Sequence, residues 1–135
     1  MPKILIADDE DSMRQLVARA IAMDGHETVT AQDGAEALEI LTRENGAFDL
    51  LLTDIQMPVM DGIALALTVA AQFPDLTILL MTGFADQRER AHGLEALIYD
   101  VVPKPFSLQT LLEKVDDALR RKPIELPSMT RQAMG

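Results

Sequence analysis

The segment Phe48-Asp49-Leu50-Leu51-Leu52-Thr53-Asp54 is a largely apolar run that ends abruptly in a carboxylate. An apolar run of this length without polar alternation predicts a strand that is buried on both faces. Four more runs predict further strands, at residues 4–7, 28–31, 77–81 and 99–102. Strands buried on both faces are typical of parallel sheets that helices cover on both sides.

Apolar residues recur at helical spacing in the segments that follow each strand. The predicted helices cover about residues 13–23, 34–44, 63–72, 86–97 and 107–121. The fourth of them is weak and is interrupted by Gly93. Strands that alternate with helices in this way predict an α/β fold with a doubly wound parallel sheet and right-handed crossovers.

Length and composition limit the classes of function. The 135 residues suggest one domain, which we expect over residues 1–121, with a tail at 122–135 and no output domain. The net charge of −10 disfavours nucleic acid and anionic membranes as partners, because both attract Lys and Arg side chains. The chain has no cysteine and no apolar segment long enough for a signal peptide or a membrane span, so we expect a cytoplasmic protein.

Polar side chains follow four of the predicted strands at the points where the strands end. They are Asp8 and Asp9, Asp54, Thr82, and Lys104. Ligands of open parallel sheets bind beyond the carboxyl ends of the strands, so we expect these groups to meet at one edge.

Three carboxylates at one edge repel each other unless a cation joins them. Oxygen ligands without His or Cys favour a hard ion, here Mg²⁺ with Mn²⁺ as the alternative. One Asp could then act as a nucleophile toward phosphorus, with the Lys104 ammonium and the Thr82 hydroxyl as donors to phosphoryl oxygens. The acidic run near residue 8 lacks the spacing of a calcium-binding loop.

The chain resembles the receiver (CheY-like) domain of two-component signalling. Four motifs carry the resemblance: Ile-Ala-Asp-Asp-Glu at 6–10, Leu-Leu-Thr-Asp-Ile-Gln-Met-Pro-Val-Met-Asp-Gly at 51–62, Met-Thr-Gly at 81–83 and Pro-Lys-Pro-Phe at 103–106. The resemblance implies a flavodoxin-like (βα)5 fold with strand order 2-1-3-4-5.

The resemblance also implies a role for each site residue. Asp54 is the phosphoacceptor, and Thr82 and Lys104 contact the phosphoryl oxygens. Asp9, Asp54 and the backbone carbonyl of Gln56 hold Mg²⁺ directly, while Asp8 acts largely through water. A cis peptide bond is expected between Lys104 and Pro105.

A single-domain response regulator of this kind would take its phosphoryl group from a histidine kinase or a histidine phosphotransferase. It would assist its own dephosphorylation without being an enzyme in the usual sense. Its signal would pass to a protein partner through the face formed by helix 4, strand 5 and helix 5. The segment Met-Thr-Gly-Phe-Ala at 81–85 is similar to that of CpdR-type regulators, which implies a ClpX-type protease system as one candidate partner.

One position departs from the usual receiver pattern, and two histidines carry no evident role. Receivers usually have an aromatic residue three positions before the lysine, and here that position is Val101. Tyr99 lies two residues earlier, and in a regular strand it would share the face of Val101. The two histidines, His26 and His92, are interpreted as ordinary surface residues.

Two alternative functions remain at the level of the sequence. A haloacid-dehalogenase-type phosphatase also uses an Asp nucleophile with Mg²⁺, Thr and Lys, but it needs an acid/base Asp two residues after the nucleophile, where this chain has Gln56. A pseudo-receiver would bind partners without phosphorylation, and the complete set of acidic residues argues against it.

Overall fold

The computed structural model describes residues 1–83 and 85–120. The predicted tail at 122–135 lies outside these residues. Within them the chain forms a single parallel sheet whose strands are β1 (Lys3–Ala7), β2 (Glu27–Ala31), β3 (Leu50–Asp54), β4 (Thr77–Thr82) and β5 (Asp100–Pro103). The strand order β2-β1-β3-β4-β5 confirms the predicted order.

Each strand is followed by a helix, and the first four helices return the chain to the amino-terminal end of the sheet, where the next parallel strand begins. The helices are α1 (Asp11–Met23), α2 (Gly34–Arg43), α3 (Gly62–Gln72), α4 (Ala85–His92) and α5 (Leu108–Arg120). None of these helices, all within the described residues, combines the length and the apolar character that a membrane span requires.

The sheet is buried on both faces, as the unbroken apolar runs predict. All five residues of β3 are buried. Successive side chains of a strand point to opposite faces, so Leu51 packs in one core cluster with α2 and α3, and Leu52 packs in the other with α1 and α5. We call the face of the sheet covered by α1 and α5 the α1–α5 side. The fold is therefore the predicted doubly wound α/β arrangement.

Side-chain caps mark the start of three helices. Asp33 accepts a hydrogen bond from the Glu36 N–H at the start of α2, and Ser107 Oγ accepts one from the Thr110 N–H at the start of α5. Asp61 caps α3 in the same way through the Ala64 N–H, at 2.9 Å. These caps satisfy N–H groups that the first turn of a helix leaves without partners.

The fourth helix and the fifth strand differ from their predicted bounds. α4 ends at His92 instead of residue 97, because Gly93 breaks the helix and residues 93–97 continue as turns. β5 begins at Asp100, so Tyr99 precedes the strand instead of opening it.

The shift of β5 corrects the predicted orientation of Tyr99. Tyr99 packs on the α1–α5 side, where its hydroxyl donates a hydrogen bond of 3.2 Å to Asp117 Oδ2. Val101 packs against the opposite cluster, on the side of α2 and α3. The two residues do not share a face, since the period-two rule holds only inside a regular strand.

Candidate functional site

The predicted site residues lie together at the carboxyl edge of the sheet. Asp54 and Thr82 are the last residues of β3 and β4, Asp8 follows β1, and Lys104 follows β5. Because the strands are parallel and adjacent, their carboxyl ends bring these residues to the same edge.

Asp54 lies at the centre of this edge and is only 8% exposed. Its Oδ1 atom accepts a hydrogen bond of 3.0 Å from the Ile55 N–H and lies 3.3 Å from the Lys104 Nζ. Two donors thus fix the orientation of a carboxyl group that can still be reached from solvent.

Asp8 and Asp9 extend the acidic group beside Asp54. Asp8 is fully buried, and its Oδ1 accepts a hydrogen bond of 3.0 Å from the Glu10 N–H. Its Oδ2 lies 3.7 Å from the Lys104 Nζ and has no hydrogen-bond partner among the described residues. Asp9 is exposed, and the three aspartates each place an oxygen within 4.8 Å of the others.

Burial raises the pKa of both inner aspartates. The pKa of Asp54 rises to about 6, because burial disfavours the charged form and the negative Asp8 adds to this, although Lys104 opposes it. The pKa of Asp8 is raised mainly by burial as well. When ionised, the three aspartates of this group carry more negative charge than the single ammonium of Lys104 can balance.

The donor set of this acidic pocket fits a hard divalent cation. Its candidate ligands are carboxylate oxygens, and one of them, Asp8 Oδ2, is buried without a hydrogen-bond partner in the described residues. Mg²⁺ binds through one or two carboxylates and keeps waters for the rest. Gln56, whose backbone carbonyl is the further predicted ligand, follows Asp54 by two residues in the loop after β3.

Thr82 and Lys104 lie on the other side of Asp54. The Thr82 side chain is nearly fully buried, and its Oγ1 has no hydrogen-bond partner in the part of the chain that is described. The Thr82 carbonyl accepts a hydrogen bond of 2.6 Å from the Lys104 N–H, which joins the ends of β4 and β5. The peptide bond between Lys104 and Pro105 is cis, as the resemblance predicts.

Gly62 is a site residue whose role the sequence pattern does not reveal. A Cβ atom at this position would lie 2.1 Å from the Asp54 carbonyl oxygen and 2.9 Å from the Ile55 Cα. The loop after β3 therefore folds back onto the backbone of the acceptor, and the Gly62 N–H donates a 2.7 Å hydrogen bond to the Ile55 carbonyl. The pair Asp61-Gly62 signals a turn, but not this contact.

An ion pair also connects this loop to α4. Arg90 Nη2 lies 2.6 Å from Asp61 Oδ2, across 29 positions of the sequence. Partial burial alone would raise the pKa of Asp61, but the hydrogen bonds from the Ala64 N–H and from Arg90, together with the charge of Arg90, lower it. The same aspartate that caps α3 thus holds α4 beside the acceptor loop.

Known proteins share this arrangement. The family described as response regulator receiver domain matches residues 4–116. The response regulator MprA of Mycobacterium leprae (strain TN) is 36% identical over 119 residues, which cover 88% of this chain and 51% of that protein. The chain thus spans about half the length of the curated relatives that it matches.

Two solved structures extend the comparison to three dimensions. A response regulator receiver domain protein from Clostridium thermocellum has a TM-score of 0.82 at 26% identity, over 90% of this chain and 96% of that one. The response regulator TrrA from Thermotoga maritima, solved in complex with Mg(2+)-BeF, has a TM-score of 0.76 at 31% identity, over 87% of this chain and 99% of that one. With its fold, its acidic pocket and the match across most of its length, the chain belongs to the response regulator receiver domain family.

Proposed function

We propose that this receiver domain is a phosphorylation switch in which Asp54 accepts a phosphoryl group. One observation carries the proposal: a buried carboxyl group at the end of β3 is held 3.3 Å from a lysine ammonium, beside two further aspartates. The donor would be a phosphohistidine of a histidine kinase or of a histidine phosphotransferase.

The transfer requires little covalent chemistry from the protein. An oxygen of the ionised Asp54 forms a bond to phosphorus while the bond from phosphorus to the donor imidazole nitrogen breaks, and the imidazole keeps the electron pair. Asp54 must be ionised to attack, and its pKa of about 6 leaves it mainly ionised at neutral pH. The Ile55 N–H and Lys104 keep the carboxylate in one orientation during the attack.

Asp8, Asp9, Asp54 and the Gln56 backbone carbonyl would hold Mg²⁺. The ion supplies positive charge that offsets the carboxylates and the phosphoryl oxygens. The Lys104 ammonium, which already lies near Asp8 and Asp54, remains beside the acyl phosphate and binds one of its oxygens. The buried Thr82 hydroxyl, which lacks a hydrogen-bond partner within the described residues, donates to another.

The output of the switch would be a change in protein contacts. The face formed by α4, β5 and α5 is the surface that we assign to the downstream partner, and a ClpX-type protease system is one candidate. Such a partner, and the histidine kinase, would meet the protein in the cytoplasm. Because the curated relatives are about twice as long, the proposal concerns the chemistry and the contacts of the receiver itself.

The test is phosphorylation by a small phosphodonor such as acetyl phosphate, followed by intact mass with Mg²⁺ and with a chelator. We expect the protein to gain one phosphoryl group only with Mg²⁺, and Asp54→Ala to gain none. Asp75→Ala is the matched control, since Asp75 is an exposed aspartate before β4, and it should behave like the wild type.

Two other outcomes would support different functions. A protein that gains no phosphoryl group from the small donor or from histidine kinases would be a pseudo-receiver that binds partners without phosphorylation. Steady turnover of a generic phosphate ester would indicate a phosphatase of the haloacid dehalogenase type, although Gln56 offers that chemistry no acid or base.

A further inference from the structure

A second group of metal-ligating side chains lies at the opposite edge of the sheet from Asp54. Asp24 follows the end of α1, His26 immediately precedes β2, and Asp116 lies in α5. Each of them offers one ligand atom, and these atoms all lie within 4.8 Å of one another. His26 and Asp116 are 90 positions apart in the sequence, so the group exists only in the folded chain.

His26 is not the ordinary surface residue that the sequence predicts. Its side chain is only 12% exposed, because it lies between the end of α1 and the side of α5. Its Nε2 atom lies 3.3 Å from Asp116 Oδ1 and 3.8 Å from Asp24 Oδ2. The packing therefore holds one imidazole nitrogen toward two carboxylates at once.

The charge of the group is not balanced by neighbouring cations. Lys114 forms its ion pair with Asp100, and Arg120 pairs with Asp117 at 3.0 Å. Among the side chains that the structure describes, those of residues 1–83 and 89–120, the ion pairs of Asp24 and Asp116 are those with His26 alone. Even a protonated imidazole would leave one negative charge in excess.

We propose that Asp24, His26 and Asp116 form a binding site for a divalent transition-metal ion such as Zn²⁺. Ligand atoms at about 2.0–2.2 Å from a tetrahedral zinc ion lie about 3.4 Å from each other. The two distances from His26 Nε2, 3.3 and 3.8 Å, are close to this value. The carboxylate of Asp24 can turn to complete the geometry, since its side chain is 38% exposed.

The ligand types distinguish this site from the acidic pocket around Asp54. An imidazole nitrogen favours zinc, cobalt or nickel, whereas the oxygen ligands of the acidic pocket favour magnesium. Three protein ligands leave a fourth position for water, so the ion would exchange more readily than in a closed structural site. The bound ion would connect the end of α1 to α5, and it would stabilise the folded chain by an amount that grows with the logarithm of its concentration once the site is saturated.

Zn²⁺ titration by calorimetry tests this site, with Mg²⁺ in excess and any affinity tag removed. We expect His26→Gln and Asp116→Asn each to bind one equivalent less than the wild type, or to bind that equivalent at least about tenfold more weakly. His92→Gln is the matched control, since His92 is an exposed histidine on α4, and it should keep the wild-type stoichiometry.

Co²⁺ gives an independent readout through the visible absorption of a tetrahedral site. The absorption should appear in the wild type and in Asp54→Asn, and should be lost in His26→Gln. Equal binding by the wild type and His26→Gln, or no binding by the wild type beyond the acidic pocket, would overturn the proposal and leave His26 as an ion-pair residue. Asp54→Asn alters the acidic pocket but leaves Asp24, His26 and Asp116 unchanged. The outcome at the second site therefore does not depend on the outcome of the phosphorylation test.

Discussion

The burial of the Asp54 carboxyl group lowers the free energy of unfolding at neutral pH. Its pKa is about 6 in the folded protein because it is buried, against 3.8 for an ordinary Asp. Between these two values the folded protein keeps a proton that the unfolded chain has lost, so the free energy of unfolding falls as the pH rises through this window. The shift corresponds to about 3 kcal/mol once both states are ionised.

We therefore expect Asp54→Asn to be more stable than the wild type when a chelator is present. At neutral pH its free energy of unfolding should rise by about 1–3 kcal/mol, because the amide keeps the shape without the buried charge. Urea unfolding of both proteins from pH 4 to pH 7 is the measurement. The gain should disappear toward pH 4, and a gain that is independent of pH would contradict this explanation.

The loop between β3 and α3 shows how one element positions the site. Gly62 begins α3 directly against the backbone of Asp54, and Asp61 caps the same helix. A side chain at position 62 can be accommodated only if the backbone moves, because the atoms that it meets belong to the backbone.

Gly62→Ala should destabilise the protein by about 1–3 kcal/mol, the usual cost of overpacking. It should also slow phosphorylation, because the carboxylate moves with the backbone of the loop. Gly93→Ala is the matched control, since a Cβ there meets no atom within 4 Å. Urea unfolding and the rate of phosphorylation by acetyl phosphate measure the two effects. Similar losses in both variants would mean that the contact with Asp54 is not the cause.

The elements differ in how well the sequence predicts them. α5 has a clear apolar stripe, with Leu111 and Val115 buried, and its predicted extent agrees with the structure over the described residues. α4 has the sequence Ala-Asp-Gln-Arg-Glu-Arg-Ala-His, which offers almost no apolar periodicity. Tertiary contacts hold it instead, through buried Ala91 and the ion pair of Arg90 with Asp61.

At the scale of the whole molecule, stability and cation binding are linked. The net charge is −10, and three of the negative groups converge at the carboxyl edge of the sheet. Anything that binds the folded state alone stabilises it in proportion to the logarithm of its concentration once the site is saturated. The charge repulsion within the acidic pocket should therefore be relieved by Mg²⁺.

We expect Mg²⁺ to raise the unfolding temperature of the wild type in a concentration-dependent way. NaCl at matched ionic strength should have a smaller effect, because it screens the exposed charges but does not bind between the carboxylates. Thermal unfolding with increasing MgCl₂ checks this, and Asp9→Asn should weaken the response. An equal response to both salts would show that screening alone is responsible.

The amino-acid pattern was enough to predict the alternation of strands and helices along the chain, the two-sided burial of the sheet and the residues at the strand ends. These follow from local patterns, since an apolar run and the polar residue after it are neighbours in the chain. The tertiary structure decided the contact of Gly62 with Asp54, the orientation of Tyr99 and the burial of His26 beside Asp116. Such contacts depend on how helices and loops pack against each other, and no periodicity in the sequence encodes which distant residues meet.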